Sequence, residues 1–214
     1  MISSRIPLPV LQVGLVLAWS SGYLGGVIAT DTDSIVRVLL WRFACVAILF
    51  SPFLVAALRR GITWRWCLLH GTLGVVGMFV CVGLGIEGLD LGLPAGTACL
   101  ISALQPLTAA VLAGPVLREP VRRAQWIGLA VGFAGVGLSV GGLSNGDQLL
   151  GYLCAFGSML CMVAATLIAK AKWAGDDLPA ALGFQTLVTA ILFVPVAAYD
   201  GVLLPEPSSR FVVA

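Results

Sequence analysis

Three polar side chains interrupt long apolar stretches of the chain, where a polar group must find a partner or a cavity: Arg42, Gln105 and Gln185. Their types suit hydrogen bonding and charge pairing rather than bond-breaking. Arg42 lies about a quarter of the way into its stretch, a depth at which an uncompensated charge costs several kcal/mol. It reads either as a cation facing a solute or pairing helices, or as a long side chain reaching the headgroups beside Trp41. Gln105 directly precedes Pro106, which removes a backbone donor and frees the carbonyl four residues earlier. An amide beside a freed carbonyl suits a binding element in a cavity, and equally a helix-to-helix hydrogen bond. Gln185 poses the same choice between solute and bridge. Trp19, Ser20, Ser21 and Tyr23 share the first apolar stretch, where they suit either a cavity lining or close helix packing.

Other chemistries find little support. No aspartate lies in the middle of an apolar stretch, as intramembrane aspartyl chemistry requires, and the one histidine, His70, lies far in depth from most candidate serines. A GxxxxGK phosphate loop is absent, so ATP hydrolysis is not expected. The six cysteines form no CxxC or Cys/His spacing and read as small hydrophobes, so no disulfide, metal site or cofactor is implied. The chain is not expected to be an enzyme. A net charge of +2 without a basic tract gives no ground for nucleic-acid binding.

The elements that position these residues follow from composition. Apolar residues make up 59% of the chain and charged residues 10%, with a mean hydropathy of +1.04. A soluble domain carries about 25% charged residues, so this chain cannot cover a water-facing surface and is expected to be an all-α, multi-pass membrane protein. Seven apolar stretches, roughly 7–29, 36–57, 67–86, 93–116, 125–142, 149–169 and 180–199, approach the ~20 residues needed to cross a bilayer. Pro106 predicts a kink in the fourth. Arg5 precedes the first stretch, and Arg59/Arg60/Arg65, Arg118/Arg122/Arg123 and Lys170/Lys172 follow the second, fourth and sixth. The remaining loops are acidic, with Arg37 the main exception. Positive residues collect in the cytoplasm, so the N-terminus is expected inside and the C-terminal tail outside.

Two segments echo each other: Ala47-Ile-Leu-Phe-Ser-Pro52 and Ala190-Ile-Leu-Phe-Val-Pro195, with Arg42 and Gln185 each five positions before the first alanine. The echo alone is near chance in so apolar a chain. Charge alternation makes the two copies antiparallel and five crossings apart, as an inverted repeat of the kind found in transporters requires. Glycines at three- and four-residue spacing, Gly71/Gly74/Gly77 and Gly128/Gly132/Gly135, are expected to permit close backbone packing.

With these features in place, the chain resembles the drug/metabolite transporter superfamily, specifically its EamA-type members. The resemblance rests on Ala18-Trp-Ser-Ser-Gly22, Leu40-Trp-Arg-Phe43, Ala95-Gly-Thr-Ala-Cys-Leu-Ile-Ser-Ala-Leu-Gln-Pro106, Arg118-Glu-Pro120, Gln125-Trp-Ile-Gly128 and Gly135-Val-Gly137. It implies a cell-membrane carrier of small organic metabolites, amino acids or drug-like solutes, built from two five-helix repeats of opposite orientation. It also implies a central cavity that here includes Trp19, Arg42, Gln105 and Gln185. Residues 1–143 would form a complete first repeat and 144–214 the first two helices of the second. Three family helices have no counterpart in the chain, so the expectation divides. Either the chain transports, alone or as an oligomer or with a second chain, or it is a non-transporting subunit or truncated remnant packed on a partner.

Overall fold

The computed structural model describes residues 9–10, 12–14, 16–17, 34–118, 122–139, 146–172 and 177–204. Most of the first apolar stretch, Trp19 included, and the tail from residue 205 lie outside the described residues. The rest is helical: α1 (Ile35–Arg60), α2 (Trp64–Asp90), α3 (Ala95–Leu117), α4 (Arg123–Ser139), α5 (Gly146–Lys172) and α6 (Leu178–Tyr199). α1, α2, α3, α6 and the Leu149–Lys172 part of α5 are long and apolar enough to cross a membrane. These are the second, third, fourth, sixth and seventh predicted stretches. α4, from the fifth, has 17 residues and spans about 25 Å, somewhat less than the ~30 Å hydrocarbon core.

Local chemistry sets the helix ends. Gly61, with φ 89°, closes α1, and Thr63 caps α2 by accepting the Trp66 N–H at 3.3 Å. α2 and α6 finish alike. After α2, Gly92 (φ 86°) donates to the Leu89 carbonyl and Leu93 to that of Gly88; after α6, Gly201 (φ 70°) donates to Ala198 and Val202 to Ala197. Both are Schellman closures, which place the first residue past the helix in the left-handed region that glycine adopts without strain. The kink expected at Pro106 is a break: α3 divides at Leu104 into Ala95–Ala103 and Gln105–Leu117. α2 carries a π-helical turn over Val75–Val80.

α1 and α6 form the most extensive helix pair. Phe43 stacks on Phe193 with centroids 5.8 Å apart, and a Cβ on Gly183 would lie 3.0 Å from that of Phe50. The paired numbers run in opposite directions, so the helices are antiparallel. Ala47 and Ala190, which open the two echoing segments, are both buried. Arg37, the exception to the charge pattern, is buried and donates from Nε to the Val202 carbonyl at 3.3 Å. Trp41 Nε1 donates to the Leu203 carbonyl at 3.1 Å. Both residues tie the exit of α6 back to the entry of α1.

α5 is held between α2 and α3. Gly88 and Gly151 face each other so closely that a Cβ on either would stand 3.0 Å from the other's carbonyl oxygen. Ser158 Oγ donates to the Cys81 carbonyl at 2.7 Å. Ile101, Leu104, Met159 and Val163 belong to one buried apolar cluster joining α3 and α5. The glycine stripes divide. An added Cβ would stand 2.8 Å from the Gln185 backbone oxygen at Gly74 and 2.7 Å from the Ala165 methyl at Gly77. It would press only on the movable end of Leu104 at Gly132, make ordinary contacts at Gly71 and Gly128, and meet nothing within 4 Å at Gly135. All six cysteines are free, with Cys81 and Cys154 buried and Cys45 and Cys99 exposed.

Gly74→Ala places a Cβ 2.8 Å from the Gln185 backbone oxygen, and Gly77→Ala one 2.7 Å from the Ala165 methyl. Each is expected to cost about 1–3 kcal/mol in detergent-induced unfolding followed by circular dichroism. Gly83→Ala, which meets nothing within 4 Å, is expected to unfold within about 0.5 kcal/mol of wild type.

Candidate functional site

Two polar clusters lie within the spanning helices. The first joins α2 to α6. Gln185 and His70 are both buried, His70 completely, and Gln185 Nε2 lies 3.0 Å from His70 Nδ1. An amide nitrogen only donates, so Nδ1 accepts and a neutral His70 carries its proton on Nε2. Trp66 covers the imidazole with ring centroids 4.4 Å apart and also meets Phe184 at 5.3 Å. One turn along α6, the single Thr189 hydroxyl hydrogen is shared between the Gly74 carbonyl at 3.1 Å and the Gln185 carbonyl at 2.9 Å. The π-helical turn begins at the next residue of α2, consistent with a foreign side chain entering the backbone ladder at Gly74. Gly74 supplies the space: its missing Cβ allows the two backbones to meet. Gln185 Oε1 makes no hydrogen bond among the described residues.

The second cluster surrounds the break in α3. Gln105 is half-buried, and its amide has no partner among the described residues. Thr108, three residues on and therefore on the same helix face, is only 6% exposed, yet its Oγ1 lacks a hydrogen-bond partner among the described residues. An unsatisfied buried hydroxyl costs about 1–3 kcal/mol. The Ser102 carbonyl, which Pro106 leaves without its helical donor, instead accepts a backbone N–H from the cap that closes the Ala95–Ala103 segment.

The predicted site residues therefore occupy three different settings. Arg42 is exposed on α1, without an ion pair or hydrogen bond among the described residues. Gln185 makes the helix bridge weighed for it, and Gln105 sits at the break. No hydrogen bond joins any two of these three, and Trp19 lies outside the described residues. Sequence reasoning passed over His70 and Thr108. A lone imidazole in a spanning stretch is itself a signal, since intramembrane ionisable residues are costly and keep partners. Thr108 could have been found from its spacing to Gln105.

Five membrane-length apolar helices define a multi-pass membrane protein, and its interior offers hydrogen-bonding positions at the His70–Gln185 contact and the α3 break. The EamA-like transporter family matches residues 9–141, most of the chain, and the protein belongs to that family. Its class is thus membrane transport. No curated protein and no solved structure matches the chain.

If His70 and Gln185 bond as described, His70→Leu and Gln185→Leu each destabilise the protein by about 1–3 kcal/mol. In a double-mutant cycle followed by unfolding in micelles, the double variant is expected to lose less than the sum, by about 0.6 kcal/mol or more. Strict additivity would show that the two side chains do not interact.

Proposed function

We propose that this protein is a secondary transporter that moves small organic metabolites, amino acids or drug-like solutes across the cell membrane by alternating access. The family match over residues 9–141 carries this reading. Seven spans follow if the first apolar stretch and α4 cross with the five long helices, and the charge alternation then places the N-terminus in the cytoplasm. Residues 1–143 form the first five-helix repeat and 144–214 the start of an inverted second. The antiparallel packing of α1 on α6 supports this division. The echo makes Phe50 and Phe193 counterparts, and likewise Leu40 and Gly183. Phe50 packs on Gly183, and Phe193 shares a buried cluster with Leu40, as an approximate two-fold axis between the helices would require.

The substrate-binding positions in this reading are Trp19, Arg42, Gln105 and Gln185. Gln105 offers an unengaged amide beside the broken helix, with the Thr108 hydroxyl as a second contact. Gln185 offers Oε1 while its nitrogen holds His70. Arg42 supplies the one spanning-segment guanidinium of the set, suited to a carboxylate or other anionic group on a solute.

Uptake into proteoliposomes, screened across amino acids, organic acids and lipophilic cations, tests this reading. Arg42→Ala and Gln105→Ala are each expected to lower uptake by about tenfold or more, as loss of a hydrogen bond to a charged or polar solute would. Uptake that survives both changes overturns the cavity assignment and leaves the transport class standing. Absence of uptake for every solute class overturns transport by this chain on its own.

A further inference from the structure

A groove of about 500 Å³ runs along α1, lined by Ser51, Pro52, Val55, Ala56 and Arg59. Steps of one, three and four residues put these positions on one stripe of the helix. All are exposed except Ala56, which is half-buried. Small side chains at Ser51 and Ala56 leave room along the stripe. Its interior is apolar in character, because the Ser51 hydroxyl turns into the helix and donates to the Ile48 carbonyl at 2.7 Å. That carbonyl is the one Pro52 leaves without a backbone donor.

The groove ends in a cation. Arg59 makes no ion pair or hydrogen bond among the described residues, whereas its neighbour Arg60 reaches Asp177 at 3.5 Å. Arg59 lies in the last turn of α1, just before the helix closes at Gly61, where the spanning stretch meets the headgroups. Pro52 lies about 10 Å deeper along the axis at 1.5 Å per residue, within the hydrocarbon.

We propose that this groove holds one anionic phospholipid, its phosphate on Arg59 and an acyl chain laid along Val55 and Pro52. Charge and depth select this occupant. A lipid presents a phosphate at headgroup level and methylene groups below it, and the groove presents a guanidinium above apolar side chains in the same order. Basic residues beside a spanning helix attract anionic headgroups in this way. Among the described residues lining the groove, a water-soluble solute would find no unengaged polar side chain below Arg59.

Native mass spectrometry of the full chain in detergent, with phosphatidylglycerol and phosphatidylcholine of matched acyl chains added together, tests the proposal. Wild type is expected to retain phosphatidylglycerol about fivefold over phosphatidylcholine. Arg59→Gln is expected to bring that preference to near unity, and Arg59→Lys to keep most of it. Val55→Trp fills the groove while leaving the charge, and is expected to release the bound lipid; each variant is first shown to elute as a single folded species. Equal retention of both lipids by wild type, or an undiminished preference in Arg59→Gln, overturns the proposal. So does a second copy of the chain occupying the groove in place of lipid.

Discussion

The backbone-to-backbone contact of α2 with α6 at Gly74 is the constraint on which the rest of this bundle depends. A Cβ at Gly74 would stand 2.8 Å from the Gln185 carbonyl oxygen, so the two helices meet at a distance only glycine permits. At that separation Thr189 reaches the Gly74 carbonyl and Gln185 reaches His70. Moved apart by a side chain, these four groups would face hydrocarbon, where unsatisfied polar atoms cost several kcal/mol each. Close packing is therefore the condition under which polar residues can be present here at all. It also leaves α6 the most enclosed of the spanning helices.

Enclosure of α6 requires a matching surface on its other side, and α1 provides it. The stacked Phe43–Phe193 pair and the Gly183–Phe50 contact fix the antiparallel register. Two donors then secure one end of that register, where α6 exits beside the entry of α1. Arg37 and Trp41 donate to the carbonyls of Val202 and Leu203, which lie just past the last turn of α6 and have no helical partner of their own. The guanidinium and the indole each join an apolar stem to a polar tip. That combination suits a level where the helices leave the hydrocarbon.

Much of this was legible in the sequence because the bilayer imposes simple rules. Apolar length predicted the five helices of membrane length among the seven stretches it marked, Pro106 predicted a kink where α3 breaks, and charge alternation predicted the antiparallel sense of α1 and α6. What escaped was pairing across distance. The partner of Gln185 is 115 residues away, and no local pattern states that His70 will meet it. Arg37 looked like an exception to the charge rule because the rule counts loop residues, while this side chain is buried against a carbonyl. The glycine stripes showed the same limit. Spacing placed Gly74 and Gly135 in equivalent patterns, yet a Cβ would collide with backbone only at the first and meets nothing within 4 Å at the second, because a stripe marks where packing is permitted and not which neighbour uses it.

For a carrier, the arrangement of weak and strong contacts matters more than their sum. Interhelical hydrogen bonds in membranes contribute only about 0.6 kcal/mol on average, because a side chain that leaves one partner finds another. The Gln185–His70 and Thr189–Gly74 bonds are of this kind, and both sit at irregular backbone, one turn before or at the π-helical segment. The break in α3 places Gln105 and Thr108 in a similar position, with polar groups unengaged beside a backbone that is already interrupted. The regular parts behave differently: the aromatic stack of α1 on α6 and the α3–α5 cluster bury apolar groups in tight contact. Rearrangement is cheapest where the backbone is irregular and the bonds are exchangeable, and most costly where packing is dense. On the proposed transport reading, a change of access would turn about the Val75–Val80 irregularity, with the α1–α6 pair and the α3–α5 cluster, Leu104 included, moving as units.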